Sequence, residues 1–167
     1  MMAEDYVNFD EAMREAQRLV ERFETPETKE RQMPAPEMTP HVEQRLGDDA
    51  IIWLGTVRPD GRPHLVPVWF IWDGSTMLIF SQPGSRKVAN LRRNPHVTLA
   101  LETGGTGADV IVIEGEAVLV DGLAATAVPA YAEKYGEQMA LLGYDPESLA
   151  QAYSQAIRIS PMKVRAS

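Results

Sequence analysis

The spacing of apolar positions changes several times along the chain, and each change marks an element. Between Phe9 and Phe23 the residues Met13, Ala16, Leu19, Val20 and Phe23 recur at three- and four-residue intervals. That is the stripe of an amphipathic helix, with Asn8 and Glu11 placed to cap its start. From Thr25 to Pro40 the stripe gives way to Pro26, Pro34, Pro36 and Pro40 among charged residues. The missing amide donors make a regular element hard to build there, and the segment reads as a linker or arm. The helix before it packs either on its own barrel or on a partner subunit. The chain thus divides into an N-terminal helix and arm over 1–37 and a main domain over 38–167.

After a short helical segment near Pro40 to Leu46 the period changes again. Ile51 to Val57 reads as a strand buried on both faces. Pro59-Asp60-Gly61 turns the chain, His64 to Trp72 forms a second strand, and Asp73-Gly74 is a hairpin signal leading into a third at Thr76 to Ser81, a three-stranded meander. Ser85 to Arg93 reads as a helix that stops at Asn94-Pro95, because proline disfavours a helical residue before it. Val97, Leu99 and Leu101 alternate with polar or small neighbours in a fourth strand, and Val110 to Val120 forms a long fifth. Ala124 to Leu142 and Pro146 to Ser154 read as helices separated by Gly143. A last strand runs from Ala156 to Ser160 and extends towards Arg165 if Pro161 permits. Six strands interrupted by helices predict a mainly β fold with peripheral helices, closing as a barrel.

Composition narrows the chemistry. With 167 residues the chain has room for one ordinary core. A net charge of −8 disfavours nucleic acid as a partner. The absence of cysteine removes disulfides, thiolate nucleophiles and thiolate metal sites, and it fits a cytoplasmic chain. The acidic start Met1 to Asp5 reads as neither a signal peptide nor a membrane span. His41, His64 and His96 lie in separate elements without ligand spacing, so no metal is expected. Asp48-Asp49 and the pair Glu114 and Glu116 read as solvent-facing charges, and no catalytic side chain stands out. Thr103 to Asp109 is glycine-rich, but it joins two strands and opens no helix, so it is not read as a phosphate-binding loop.

The stretch from Ser81 to Pro95 is the most informative. It follows a strand and opens a helix whose first-turn amides, with Ser85 at the cap position, present unpaired donors and partial positive charge. Arg86 and Lys87 add full positive charges at the end where acidic residues belong, a local misfit that a bound anion would resolve. Lys87 and Asn90 are three apart and share a helix face, so an ammonium and an amide can converge on one group. The alternative is a solvated basic helix start. Upstream, Pro67-Val68-Trp69-Phe70-Ile71-Trp72 crowds rings and a proline into one strand. This marks an edge or a break where a planar cofactor can lie, or a set of rings that fills the barrel or an interface.

In that order, Thr56-Val57-Arg58-Pro59-Asp60-Gly61-Arg62-Pro63, Pro67-Val68-Trp69-Phe70 with Asp73-Gly74, Lys87, Asn90-Leu91 and Asn94-Pro95 resemble the pyridoxamine 5'-phosphate oxidase-like, FMN-binding split-barrel superfamily over about residues 38 to 165. The segment Trp69 to Asn90 and the later Gly105-Thr106-Gly107-Ala108-Asp109 are similar to its branch of deazaflavin (coenzyme F-420)-dependent oxidoreductases. The resemblance implies a six-stranded antiparallel split β-barrel and a homodimer with two cofactor sites at the subunit interface. Ser81, Arg86, Lys87 and Asn90 would contact the cofactor phosphate, and the backbone around Val66 to Trp69, hence Pro67, Val68 and Trp69, would line the ring. The proline-rich N-terminal extension departs from the shorter family pattern.

The function implied is hydride transfer between a bound deazaflavin and a small conjugated substrate, with the redox chemistry residing in the cofactor. The same barrel using FMN, or serving as a non-catalytic flavin or haem carrier, is the alternative. Arg58, Arg62, Arg92 and Arg93 offer a basic groove for the anionic tail that distinguishes deazaflavin from FMN.

Overall fold

The computed structural model describes residues 36–102 and 105–167. The expected helix over Phe9–Phe23, its cap and the arm up to residue 35 lie outside the described residues. The first described helix, α1 (Pro40–Asp48), starts at Thr39, whose hydroxyl accepts from the Val42 amide at 3.3 Å, with Pro40 in the first turn where its missing donor costs nothing. It sends Val42 and Leu46 into the core.

Seven strands follow: β1 (Ile52–Val57), β2 (Pro63–Val68), β3 (Ile71–Trp72), β4 (Met77–Ser81), β5 (His96–Glu102), β6 (Val110–Val120) and β7 (Gln155–Ala166). They form one antiparallel sheet in the order β2-β1-β5-β6-β7-β4-β3. The six expected strands become seven because the His64–Trp72 run breaks at Trp69-Phe70. The expected meander is also revised. β2 pairs with β1 and β3 with β4, so the two halves of the broken run end up at opposite edges of the sheet. Edges only two residues apart in sequence require the sheet to curl round on itself, which makes a barrel split along that seam. Pro67, in edge strand β2 opposite Trp53, withholds no donor that an inner ladder would need.

Burial corrects a second expectation. β1 is not buried on both faces: Ile52, Leu54 and Thr56 point inward, whereas Trp53 and Val57 are exposed. The doubly buried strand is β4, all five residues of which are covered. Met77 and Ile79 join the barrel interior, while Leu78 and Phe80 pack outward against Tyr131, Tyr135, Met139 and Leu149. Those partners come from α3 (Pro129–Leu141) and α4 (Pro146–Ala152), which form a layer outside β4. A short 3-10 turn at Ala125–Ala127 precedes α3, so the expected helix over 124–142 begins five residues later, at Pro129. Asp145 and Ser148 cap α4 reciprocally.

β7 continues through Pro161, which lies opposite Gly115 where the register shifts in β6. Only glycine fits at 115, since a Cβ there would stand 2.7 Å from the Ser160 carbonyl oxygen. Among the described residues no helix is long and apolar enough to cross a membrane.

Candidate functional site

The seam at Trp69-Phe70 takes the Phe70 amide and carbonyl out of the sheet, and α3 supplies what the ladder no longer does. The Tyr135 hydroxyl accepts from the Phe70 N–H at 2.8 Å and lies 2.7 Å from the Phe70 carbonyl oxygen and 2.8 Å from that of Ala50. Lys134 Nζ donates to the Phe70 carbonyl at 3.2 Å and sits 4.1 Å from the Phe70 ring centroid. The Tyr135 ring stacks on Trp69 at 4.6 Å with an interplanar angle of 2°. Burial pushes the Tyr135 phenol up to about 12, so it stays protonated and can both accept and donate.

Beside this seam lies a cavity of about 290 Å³. Its lining combines Pro67, Val68 and Trp69 with Phe80, Tyr131 and Leu149, with Ile51, Leu142, Tyr144 and Tyr153, and with Lys87. Tyr144 and Tyr153 meet edge to face at 6.2 Å. A mostly apolar cavity of this size with five aromatic side chains in its lining, at the lower end of the roughly 300–1,000 Å³ typical of small-molecule sites, suits a planar conjugated ring.

Lys87 belongs to α2 (Arg86–Leu91), which follows β4 as the sequence predicted. Ser85 occupies the cap position, but its side chain makes no capping bond; its hydroxyl lies 3.0 Å from that of buried Ser81. The expected serine cap is therefore absent, and the first-turn amides keep their donors. Around this corner positive charge accumulates, with only the Asp60 carboxylate, which bonds Arg62, acting on Arg58 through its field. Arg58, Arg86 and Lys87 have no carboxylate partner among the described residues, and Arg58 Nε is sealed from solvent with no hydrogen-bond partner. The same three charges, after burial, hold His64 below the usual histidine range. Burial lowers Lys87 as well. A buried Arg58 donor and the half-buried Lys87 ammonium, left without partners, are costly on their own and become favourable once an anion sits among them.

Of the residues singled out in the sequence, Lys87, Pro67, Val68 and Trp69 converge on the cavity, and Ser81, Ser85 and the exposed Arg86 surround the start of α2. Asn90 is placed differently: it is buried, and its Nδ2 donates to Thr56 Oγ1 at 2.9 Å, which in turn lies 3.5 Å from His64 Nδ1. Its amide nitrogen is engaged in tying α2 to β1. Asp49 pairs with Arg45, Glu114 with Arg165 and Glu116 with His96. His41 and Arg45 both bind Asp109 at the end of the glycine-rich loop. Sequence reasoning missed Tyr131, Tyr135, Tyr144 and Tyr153. The four-residue spacing of Tyr131 and Tyr135 on one helix face was the available signal, but nothing local said that the face would meet the seam.

The family model described as pyridoxamine 5'-phosphate oxidase matches residues 38–167. The chain belongs to this family. The split barrel of the pyridoxamine 5'-phosphate oxidase family recurs in solved structures that share its fold at low sequence identity. An F-420 reductase superposes with a TM-score of 0.61 at 21% identity, over 78% of this chain and 98% of its own. A haem storage protein of Vibrio cholerae gives 0.57 at 17% identity, over 78% and 94%. An FAD-binding protein of Mesorhizobium loti gives 0.56 at 19% identity, over 77% and 92%. No curated protein matches the chain in sequence.

Proposed function

We propose that this chain is an oxidoreductase that holds a flavin-type cofactor, a deazaflavin (coenzyme F-420) or FMN, and passes hydride between it and a small conjugated substrate. The observation that carries the reading is an apolar, ring-rich cavity lined in part by Lys87, next to a corner where Arg58, Arg86 and Lys87 form no ion pair with a carboxylate among the described residues and Arg58 Nε is buried without a hydrogen-bond partner. The residues present fit such a group. Lys87, Arg86 and the hydroxyls of Ser81 and Ser85 hold the phosphate, Arg58 supplies a buried donor beside it, and Asn90 braces α2 from behind. Six-residue α2 is too short for its macrodipole to do much, so the side-chain charges carry the anion.

When bound, the ring system supplies hydride donation and acceptance. The chain orients it. The Pro67–Trp69 segment and the Phe80 and Tyr131 side chains shape an apolar slot for it, and the buried tyrosines remain neutral. Related folds that bind F-420, FAD or haem make the choice among chromophores an experimental one.

The active form is a homodimer with its sites at the subunit interface. Trp53 and Leu65 are exposed at 45% and 59% on the outer face of β1 and β2. Pro67 pairs with Trp53 on that face and also lines the cavity. A partner seated there would complete the cavity wall.

Titration with FMN and with coenzyme F-420, followed by absorption and protein fluorescence, tests the cofactor assignment. Lys87→Ala should weaken whichever binds by roughly 10- to 150-fold, the equivalent of about 1.5–3 kcal/mol for a hydrogen bond to a charged group. Equal affinity of wild type and variant would remove Lys87 from the phosphate site. A Soret band on haem addition, with neither flavin binding, would favour a haem carrier instead.

A further inference from the structure

We propose that the Tyr131 hydroxyl is the donor by which the aromatic cavity recognises a carbonyl oxygen on a planar conjugated ring; this rests on the ring-binding half of the reading above, not on the phosphate half. Tyr131 is 3% exposed, and its ring is wedged edge-on against Phe80 at 5.1 Å and tilted against Tyr135 at 5.0 Å and Trp69 at 6.3 Å. Its neighbour Tyr135 spends its hydroxyl on the Phe70 backbone. The Tyr131 hydroxyl has no hydrogen-bond partner among the described residues.

Among the described residues the sealed side-chain polar atom without a partner is Arg58 Nε, so the unpartnered Tyr131 oxygen retains some accessible surface. Tyr131 lines two of the spaces in the described fold. One is the 290 Å³ cavity; the other is a void of about 20 Å³ walled by Ala125, Thr126, Ala132, Met139, Pro146 and Leu149. An ordered water needs two to four polar partners, which that nearly apolar void does not supply. The cavity, which Tyr131 shares with Tyr153, whose field acts on the Tyr131 phenol, is the space that offers this donor a ligand.

Burial, reinforced by Tyr135 and Tyr153, raises the Tyr131 phenol well above its ordinary value, so it is a neutral O–H donor throughout the physiological range. A neutral donor set in a wall of rings selects a flat ligand with a strong neutral acceptor in its plane, and a ring carbonyl is that group. Charged oxygens go to the Lys87 side. Two sources carry this chemistry: the ring carbonyls of the cofactor, or a carbonyl of the conjugated substrate.

The test is Tyr131→Phe, with riboflavin, FMN and 2-methyl-1,4-naphthoquinone as probes. Binding is read by quenching of tryptophan fluorescence, the bound carbonyl by its infrared stretch, and the ligand-free fold by its thermal midpoint. The variant should bind about three- to tenfold more weakly, the equivalent of losing one neutral hydrogen bond. The carbonyl stretch should move to higher frequency, and the midpoint should hold or rise because no protein group loses a partner. A loss confined to the flavins assigns the bond to the cofactor; a loss confined to the naphthoquinone assigns it to substrate. Unchanged affinity and stretch for every probe that binds, a fall in the midpoint, or binding of none of the three overturns the proposal. Riboflavin and FMN binding equally well to wild type would instead sink the phosphate corner and leave the Tyr131 result to stand by itself.

Discussion

Tyr135→Phe isolates the device that lets this barrel split. The substitution keeps the ring, so the stack on Trp69 and the packing against Tyr131 persist. It deletes an oxygen that accepts from the Phe70 N–H and donates to one of two carbonyls. The Phe70 carbonyl retains Lys134 as a donor, and Ala50, half-buried, has access to solvent. The Phe70 amide has no such substitute, because Phe70 is fully buried and sits between two strands rather than in one. Leaving a buried N–H unmade costs about 1–3 kcal/mol, and the lost donated bond about 0.5–1.5 more. The sum is roughly 1.5–4.5 kcal/mol against a typical total of about 5–15. For a chain of this size that lowers the thermal midpoint by roughly 3–18 °C. Calorimetry and urea titration, the latter with an unchanged slope, would measure it. A midpoint within about 2 °C of wild type would show that the hydroxyl does not replace the missing ladder, and the account of the seam would fail.

The remaining predictions concern charge and assembly. Burial sets the folded-state pKa of Lys87 below its unfolded value near 10.5, so folding disfavours the charged form. That penalty is complete below the folded value and fades as pH climbs towards 10.5. Lys87→Met should accordingly raise the ligand-free thermal midpoint at neutral pH, by an amount that shrinks as pH rises; a loss, or a gain that ignores pH, contradicts the unpaired-cation reading. Light scattering should report twice the mass of one chain for wild type and a single-chain mass for Leu65→Asp, which places a charge on the apolar β1–β2 face. A wild-type single-chain mass would refute the dimer.

Much of the barrel was legible because strand and turn signals are local. The Asp73-Gly74 hairpin forms as read, with Asp73 Oδ1 accepting from the Ser75 and Thr76 amides and Gly74 at φ +92°. β6 has the bounds its apolar run indicated. The helix after β4, although it ends at Leu91 rather than at Arg93, the strand that opens directly after Asn94-Pro95 and the basic misfit at the helix start are likewise written in neighbouring residues, as is the family resemblance that rests on their order.

What neighbours in sequence cannot report is which surface another segment will cover. Alternation in β1 and continuity in β4 look alike as apolar runs, and only the α3–α4 layer over Leu78 and Phe80 makes β4 the strand buried twice. The split of His64–Trp72 into two sheet edges depends on Tyr135, sixty-five residues beyond Phe70. The aromatic half of the cavity and the unsatisfied Arg58 and Tyr131 arise in the same way, since desolvation and hydrogen-bond satisfaction are properties of a closed surface rather than of a stretch of chain.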